Sequence, residues 1–489
     1  MNSSKEIFYA LTKSSLGVSS KIVFNAVAIK IIAVFMGPSG VGLFSQIRQL
    51  WQTFVTIGSI NSGAAVIQGV SSRKKIDKNS FTCSIFWAVF VVNSLVSLLI
   101  IFYAYEISQY FLKSLGHESI QAIRWLALSS FISVFLIFFS SILNGYNAIG
   151  RYSIVIAIGS FSLMVLTWPI ALKSSNFILG IVYLLIISEL IALIACIALL
   201  IKSNLFRLSL PSNIFASSDI KNFFKTSSVL LVTGICTMLV LLSIRLLIID
   251  NYGFYGAGIF DAAWLLCMVY VLVITKSFGT YFLPKLSGIQ DLNVRNNLLN
   301  EGIRIVILVS VPVIVTMISL KPLILSMLYT VDFMESLDII KWMLIGDFFK
   351  IISWLLAFTM LAYKDMKIFL WSELIFLSAL LLGIIVSLNF IDSYESIGII
   401  FFAVSVPYFI FTVRYNQIKH GFKLNKLILL TMLVAFTIII ISSITTWDIV
   451  DIDYRVAIVN VIISVIFSWF VLTKNERNFI IRFFTLELK

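Results

Sequence analysis

The sequence predicts an all-α polytopic membrane protein of about fourteen transmembrane helices, built as two six-helix lobes and an additional C-terminal helix pair. Three observations predict it. Hydrophobic residues make up 60% of the 489 and charged residues only 12%, against roughly 25% charged in a soluble domain. The uncharged stretches are long rather than short and alternating, which fits helices and not a β-barrel. One stretch also occurs twice. Lys30-Ile31-Ile32, seven residues and Gly40-Val41-Gly42-Leu43-Phe44 are matched by Arg245-Leu246-Leu247, eight residues and Gly256-Ala257-Gly258-Ile259-Phe260. In each copy a cation sits near the end of one apolar segment, a turn follows, and Gly-x-Gly-aliphatic-Phe opens the next. A tandem repeat at an offset of 215 to 216 residues describes a transporter of two similar halves that rock against each other.

The individual spans follow from uncharged windows of about 20 residues. They fall at 11–36, 41–70, 81–104, 122–145, 152–172, 177–201, 224–249, 257–282, 303–327, 337–361, 368–390, 398–416, 427–446 and 456–473. The first six make an N-terminal lobe, 1–205, and the next six a C-terminal lobe, 224–418. Between them, 206–223 reads as a cytoplasmic linker, with Pro211 and a Ser/Asn-rich run. The additional pair occupies 427–473, and 474–489 is a cytoplasmic tail. No small-residue cleavage site follows the first apolar stretch, so the first helix is expected to be an uncleaved anchor.

Loop charges fix the orientation. Arg73, Lys74, Lys75, Lys78, Arg151, Lys202, Arg207, Lys221, Lys285, Arg295, Lys364, Lys367, Lys419, Lys423 and Lys426 all fall on one set of alternate connections. The opposite loops hold only Lys113, Lys173 and, at a span edge, Arg455, and are instead acidic, with Glu106, Glu118, Asp250, Asp332, Glu335, Asp392, Glu395, Asp448, Asp451 and Asp453. Short loops rich in Lys and Arg stay inside, which places both termini in the cytoplasm. The net charge of +13 therefore reports orientation, and no nucleic-acid partner is expected. Cys83, Cys196, Cys236 and Cys267 lie in apolar stretches at spacings that match no metal site, and read as small core residues. No loop is long enough for a catalytic domain, and His117 and His420 stand in short loops without catalytic neighbours. An enzyme, such as a membrane polysaccharide polymerase or glycosyltransferase, is not expected.

Charges inside spans are costly and mark cavities or partners. Lys21 lies near the middle of the first span, on a stripe with Ser14, Gly17, Asn25 and Ala28. Lys30 is about 180° around from it on a straight helix, so the two share a cleft only if the helix bends; Lys30 otherwise snorkels outward, as Lys13 does inward. The second span carries Ser45, Gln49, Gln52, Thr56, Ser59 and Gly63 on one face, bordered by Arg48. Such a face lines an aqueous cavity or joins helices. The second half adds Arg245, Asp261, Lys276, Asp347, Lys350 and Glu373; Asp347 and Lys350, three apart, are spaced to pair. Glu189, Lys321 and Lys341 read as closer to span ends. The inferred cavity is cationic: Lys21, Lys30, Arg48, Arg245 and Lys350 outnumber Asp261 and Asp347. That sign concentrates anions, and arginine's planar fork matches phosphate. The carboxylates, Asp261 and Asp347, are candidates for ion pairing or for a coupling proton or sodium ion. No other cofactor is expected.

The run Phe35-Met36-Gly37-Pro38-Ser39-Gly40-Val41-Gly42 with Ile47-Arg48-Gln49-Leu50 resembles the start of Wzx-type flippases for lipid-linked oligosaccharides. Tyr281-Phe282-Leu283-Pro284-Lys285-Leu286-Ser287 and Ile345-Gly346-Asp347-Phe348-Phe349-Lys350 are similar to later stretches of that family. The likeness is in particular to the O-antigen and enterobacterial common antigen type. It runs from about residue 13 to 375, and the order and spacing of the runs carry it. The resemblance implies the multidrug/oligosaccharidyl-lipid/polysaccharide (MOP) exporter superfamily, a V-shaped MATE-like pair of lobes, and alternating access. It also implies an undecaprenyl-diphosphate-linked glycan as substrate, moved from the cytoplasmic to the periplasmic leaflet of the bacterial inner membrane. A polysaccharide polymerase and a chain-length regulator are the partners it suggests. Lys30, Arg48, Arg245, Asp347 and Lys350 sit in the matching runs, whereas Lys21 and Asp261 rest on the residue pattern alone. A drug/cation antiporter of the same superfamily is the alternative; it would call for more carboxylates than cations in the cleft.

Overall fold

The computed structural model describes residues 2–60, 62–72, 75–113, 116–172, 177–203, 205, 218–289, 291–391, 393–447, 453–474 and 476–478. Among these, all secondary structure is helical. The two longest elements, α1 (Asn2–Ser59) and α8 (Ser218–Ser287), are each two helices joined at a single glycine. Gly37 adopts φ 62°, ψ −164° and Gly253 adopts φ 67°, ψ −171°, a region of backbone space that is essentially glycine-only. The two glycines stand 216 residues apart, one in each copy of the repeat. Pro38 opens the helix after Gly37; its fixed φ suits a first turn and its missing N–H has no helical partner to lose.

Twelve helices among the described residues are long and apolar enough to cross a membrane. Two of them, Ser20–Ser59 and Leu231–Thr275, run 40 and 45 residues and contain the glycine breaks. A bilayer core takes about 20, so each divides into two crossings, giving the fourteen that hydropathy predicts. Boundaries differ in several places, the main ones as follows. The span expected at 41–70 breaks at Ile60, whose φ is 49°, and resumes as α2 (Ser62–Ser72). The span expected at 303–327 is α9 (Leu292–Ser319) followed by the short α10 (Lys321–Leu328). Of the expected linker, 206–217 lies outside the described residues and 218–223 is already helix α8. Of the tail, 475 and 479–489 lie outside them.

The chain forms two compact units: Met1–Gly258 with Leu328–Thr330, and Ile259–Met327 with Val331–Lys489. The cut falls inside α8, so it is a different division from the two lobes of the repeat.

In the first unit α1 packs on α6, and α7 (Phe177–Lys202) packs on α5 (His117–Gly145) and α6 (Ile149–Leu172). A core cluster joins Val66 and Val70 of α2, Ile85 and Val89 of α3 (Lys75–Phe102), and Val134, Phe138 and Ile142 of α5, all fully buried. Lipid is as apolar as these side chains, so close packing and small residues hold the helices rather than exclusion of water. On α5, Ser130 and Ser133 turn their hydroxyls onto the carbonyls of Ala127 and Ser129, so the small residues bring no orphan donor to the contact.

In the second unit α11 (Ser336–Ala362) packs on α13 (Glu395–His420), and α14 (Lys426–Thr445) and α15 (Tyr454–Val471) pack on α9. A Cβ at Gly398 would lie 2.6 Å from the Ile339 carbonyl oxygen, so glycine sets the α11–α13 approach. Thr359 donates to Asn416 Oδ1 at 2.6 Å across the same contact. Leu98 and Leu99 of α3, Leu430 and Leu433 of α14 and Ile462 and Val465 of α15 point outward, as lipid-facing residues do.

Candidate functional site

In the first unit the site is built where the second helix of α1 meets the first helix of α8. Glycine makes the approach possible. A Cβ on Gly42 would lie 2.1 Å from the Phe254 carbonyl oxygen, and one on Gly258 would lie 2.0 Å from the Pro38 carbonyl oxygen. Further along, the Arg245 guanidinium donates to Gln49 Oε1 at 2.7 Å. The Gln49 amide nitrogen in turn points at Met238, 3.4 Å from its carbonyl oxygen and 3.2 Å from its sulfur. Gln49 and Arg245 are buried at 5% and 8% exposure, so the polar stripe of the second span joins helices at this residue. Arg48, next in sequence, is half-buried, with its guanidinium 6.0 Å from the Phe44 ring.

Glu189 is the residue the sequence reading misplaced. It lies at the midpoint of α7, not near a span end. Ser133 lies beside its carboxyl group, and Lys21 and Arg48 act on it electrostatically. Counting its place within the 26 residues of α7 would have found it. Lys30 instead donates to the Tyr329 carbonyl oxygen, a residue of the short segment that belongs to the first unit. Four expected cations thus lie in the first unit: Lys21 and Arg48 share Glu189, Arg245 meets the stripe beside Arg48, and Lys30 has its own contact.

The second unit holds Asp261, Asp347 and Lys350. Asp261 is buried at 5% exposure on α8. Asp347 is fully buried on α11 and accepts from the Tyr270 hydroxyl at 2.6 Å. The local Asp347–Lys350 ion pair is not formed. The Lys350 ammonium lies 3.2 Å from the centroid of Phe376, 4.4 Å from that of Tyr408 and 5.1 Å from that of Trp354. Tertiary packing of α12 (Met366–Phe390) and α13 supplies the Phe376 and Tyr408 rings, and a cation over an aromatic face is favourable. Tyr408 donates to Glu373 Oε1 at 2.6 Å, and Glu373 and Asp347 both act on Lys350 electrostatically. The Lys13 and Lys276 side chains lie outside the described residues. Among the described residues no group of three or more His, Cys, Asp or Glu is placed to hold a metal ion.

Within crossing segments, then, the chain keeps four cations with the carboxyl group of Glu189 in one unit and the Asp347, Lys350 and Glu373 cluster in the other. A family model described as polysaccharide biosynthesis protein matches residues 31–338, well over half of the chain. The protein belongs to this family. The Lipid III flippase of Escherichia coli (strain K12) is 21% identical over 376 residues, 74% of this chain and 88% of that protein. The Lipid III flippase of Shigella flexneri matches to the same extent, 21% over 376 residues. Among solved structures, the lipid II flippase MurJ in an inward closed conformation superposes with a TM-score of 0.70 at 17% identity, covering 96% of this chain and 100% of that one. An outward-facing MATE family multidrug resistance transporter of the MOP superfamily gives 0.62 at 14%, covering 84% and 94%. A MOP superfamily transporter from Pyrococcus furiosus, with a binding pocket of reversed polarity, gives 0.62 at 13%, covering 83% and 95%. The family member described here therefore has the all-α, MOP-type fold that its sequence predicts.

Proposed function

We propose that the protein is a flippase that moves an undecaprenyl-diphosphate-linked oligosaccharide repeat unit, of the O-antigen type, from the cytoplasmic to the periplasmic leaflet of the bacterial inner membrane. The observation that carries the reading is Arg245, buried on a crossing helix and held by the neutral amide of Gln49 beside Arg48. A phosphate oxygen is a stronger acceptor for a guanidinium than an amide is. A diphosphate entering here exchanges a hydrogen bond to a neutral acceptor for ones in which both partners are charged. Lys21, Lys30 and Arg48 belong to the same anion site on this reading, and the prenyl chain stays in lipid. Lys350 is left out of the anion site, because its ammonium already faces aromatic rings and two carboxylates. Alternating access between the two lobes then carries the head group across, with both termini in the cytoplasm. The family membership and the lipid-linked cargo named for the relatives support the same reading.

The test is Arg48→Ala with Arg245→Ala at natural expression. The expected result is loss of surface glycan and accumulation of the lipid-linked repeat unit at normal protein level. Lys113→Ala is the control: its 2.9 Å pair with Asp250 is exposed and contributes little. Normal glycan in the double variant would overturn the anion site. A fall in protein level alone would make these arginines helix-joining residues.

A further inference from the structure

We propose that Asp347, Lys350 and Glu373, linked by Tyr270 and Tyr408, form a proton-binding site in the second unit that holds one dissociable proton, carried on Asp347. The first ground is charge parity. Two carboxylates and one ammonium meet within crossing segments, so the cluster is neutral only when it carries one extra proton. A net charge there is costly, and a proton is the smallest ligand that removes it.

The second ground is the division of partners. Glu373 Oε1 accepts from the Tyr408 hydroxyl at 2.6 Å, and the ring of that tyrosine lies 4.4 Å from the Lys350 ammonium, so Glu373 is tied to the lysine's own surroundings. That leaves Asp347 as the surplus carboxyl group. Its Oδ2 accepts from Tyr270 at 2.6 Å, while its buried Oδ1 has no hydrogen-bond partner among the described residues. An oxygen with no donor aimed at it is where a proton is accommodated at least cost.

The ligand is a proton rather than a sodium ion because Lys350 is part of the cluster. Its ammonium already fills the space against Phe376, Tyr408 and Trp354. A second fixed cation would be repelled there, whereas a proton bound covalently to Asp347 is not. The titratable groups that face the cluster are Tyr270 and Cys267 from α8, Asp347 and Lys350 from α11, Glu373 from α12 and Tyr408 from α13. In the unloading step the carboxyl O–H of Asp347 breaks heterolytically, the proton passes to water, and a carboxylate remains beside Lys350. Using that proton to drive transport rests on the flippase reading; the proton site itself does not.

The experiment is infrared difference spectroscopy on the purified full-length protein in nanodiscs, titrated with acid and base and without substrate. The expected result, on a Glu189→Gln background that removes the other carboxyl group placed mid-helix in a crossing segment, is one carbonyl stretch of a protonated carboxylic acid that disappears as pH rises. It should be lost in Asp347→Asn, shifted in Tyr270→Phe and retained in Asp261→Asn. Exchanging sodium for choline should leave the midpoint unchanged. No titrating band, a band intact in Asp347→Asn, or a midpoint that follows sodium would each overturn the proposal. Tyr270→Phe removes only a hydroxyl, so it keeps the test decisive if Asp347→Asn does not fold. Because no substrate is present, the band stands or falls separately from the glycan reading.

Discussion

Gly42 and Gly258 make the same contact from opposite sides: the Cβ position of each lies within 2.1 Å of a carbonyl oxygen, that of Phe254 for Gly42 and that of Pro38 for Gly258. The two glycines are 216 residues apart, and so are Pro38 and Phe254. The repeat read from the chain is thus also a reciprocal contact, of the kind a two-fold axis generates. Any side chain at either position must part the helices.

Gly42→Ala and Gly258→Ala should each cost about 1–3 kcal/mol by overpacking. Thermal unfolding in detergent measures it, with Gly234→Ala as the comparison. The nearest atom to a Cβ at Gly234 is 3.7 Å away, an ordinary contact, and alanine is the better helix former by roughly 1 kcal/mol. A Gly42→Ala protein as stable as the Gly234→Ala protein would show that the close approach does not persist in solution.

The Arg245–Gln49 hydrogen bond should show in a double-mutant cycle. A hydrogen bond to a charged group contributes about 1.5–3 kcal/mol, and the coupling between Gln49→Ala and Arg245→Ala should fall in that range. Gln49→Glu replaces the amide with a carboxylate that competes with phosphate, so surface glycan should fall while the protein stays stable. Additive single-variant effects, or normal glycan in Gln49→Glu, would separate the two residues.

Much of this was legible in the sequence, for physical reasons that differ by residue. Gly37 and Gly253 end helices inside a repeated stretch, so the repeat and the hydropathy mark the same turns. Ile60 breaks a helix between Gly58 and the Asn61-Ser62-Gly63 run, a turn signal that the apolar window at 41–70 reads straight through. Gln49 stood on a visible polar stripe, but its partner Arg245 comes from 196 residues away, a distance at which helical periodicity carries no information. Asp347 and Lys350 were spaced to pair, yet Lys350 turns to rings brought by α12 and α13. Tyr270 and Tyr408 carry no local signal among 17 tyrosines; only the packing shows which two meet carboxylates.

The tail gives a pH prediction. Glu476 meets Arg304 at 2.8 and 2.9 Å and accepts from the Thr473 N–H at 2.8 Å. These partners, Arg304 foremost, hold its carboxyl down to about 2 against an ordinary 4.5. A depressed carboxyl contributes stability that is complete above the unfolded value and lost as pH falls through the folded one. Docking of the tail should therefore be constant above about pH 5 and weaken only in strong acid. Glu476→Gln should lower stability by no more than about 1 kcal/mol, since the pair is partly exposed and screened. A spin label on the tail reports it; release near neutral pH would contradict the assignment.

Orientation is tested by thiol labelling in intact cells on a cysteine-free background. Lys75→Cys and Lys423→Cys should be protected from an impermeant reagent, and Lys113→Cys and Glu118→Cys should react. Reaction of all four would remove the cytoplasmic placement of the termini and the direction of transport drawn from it.

The central claim is that cations on crossing helices pass a diphosphate-linked glycan from one leaflet to the other. The most direct measurement is the share of that lipid exposed to a membrane-impermeant, diol-oxidising reagent on the periplasmic face of right-side-out vesicles. Wild-type protein should expose it. The Arg48→Ala/Arg245→Ala protein, present in equal amount, should leave it protected until the vesicles are opened with detergent. Equal exposure in the two preparations would contradict the account.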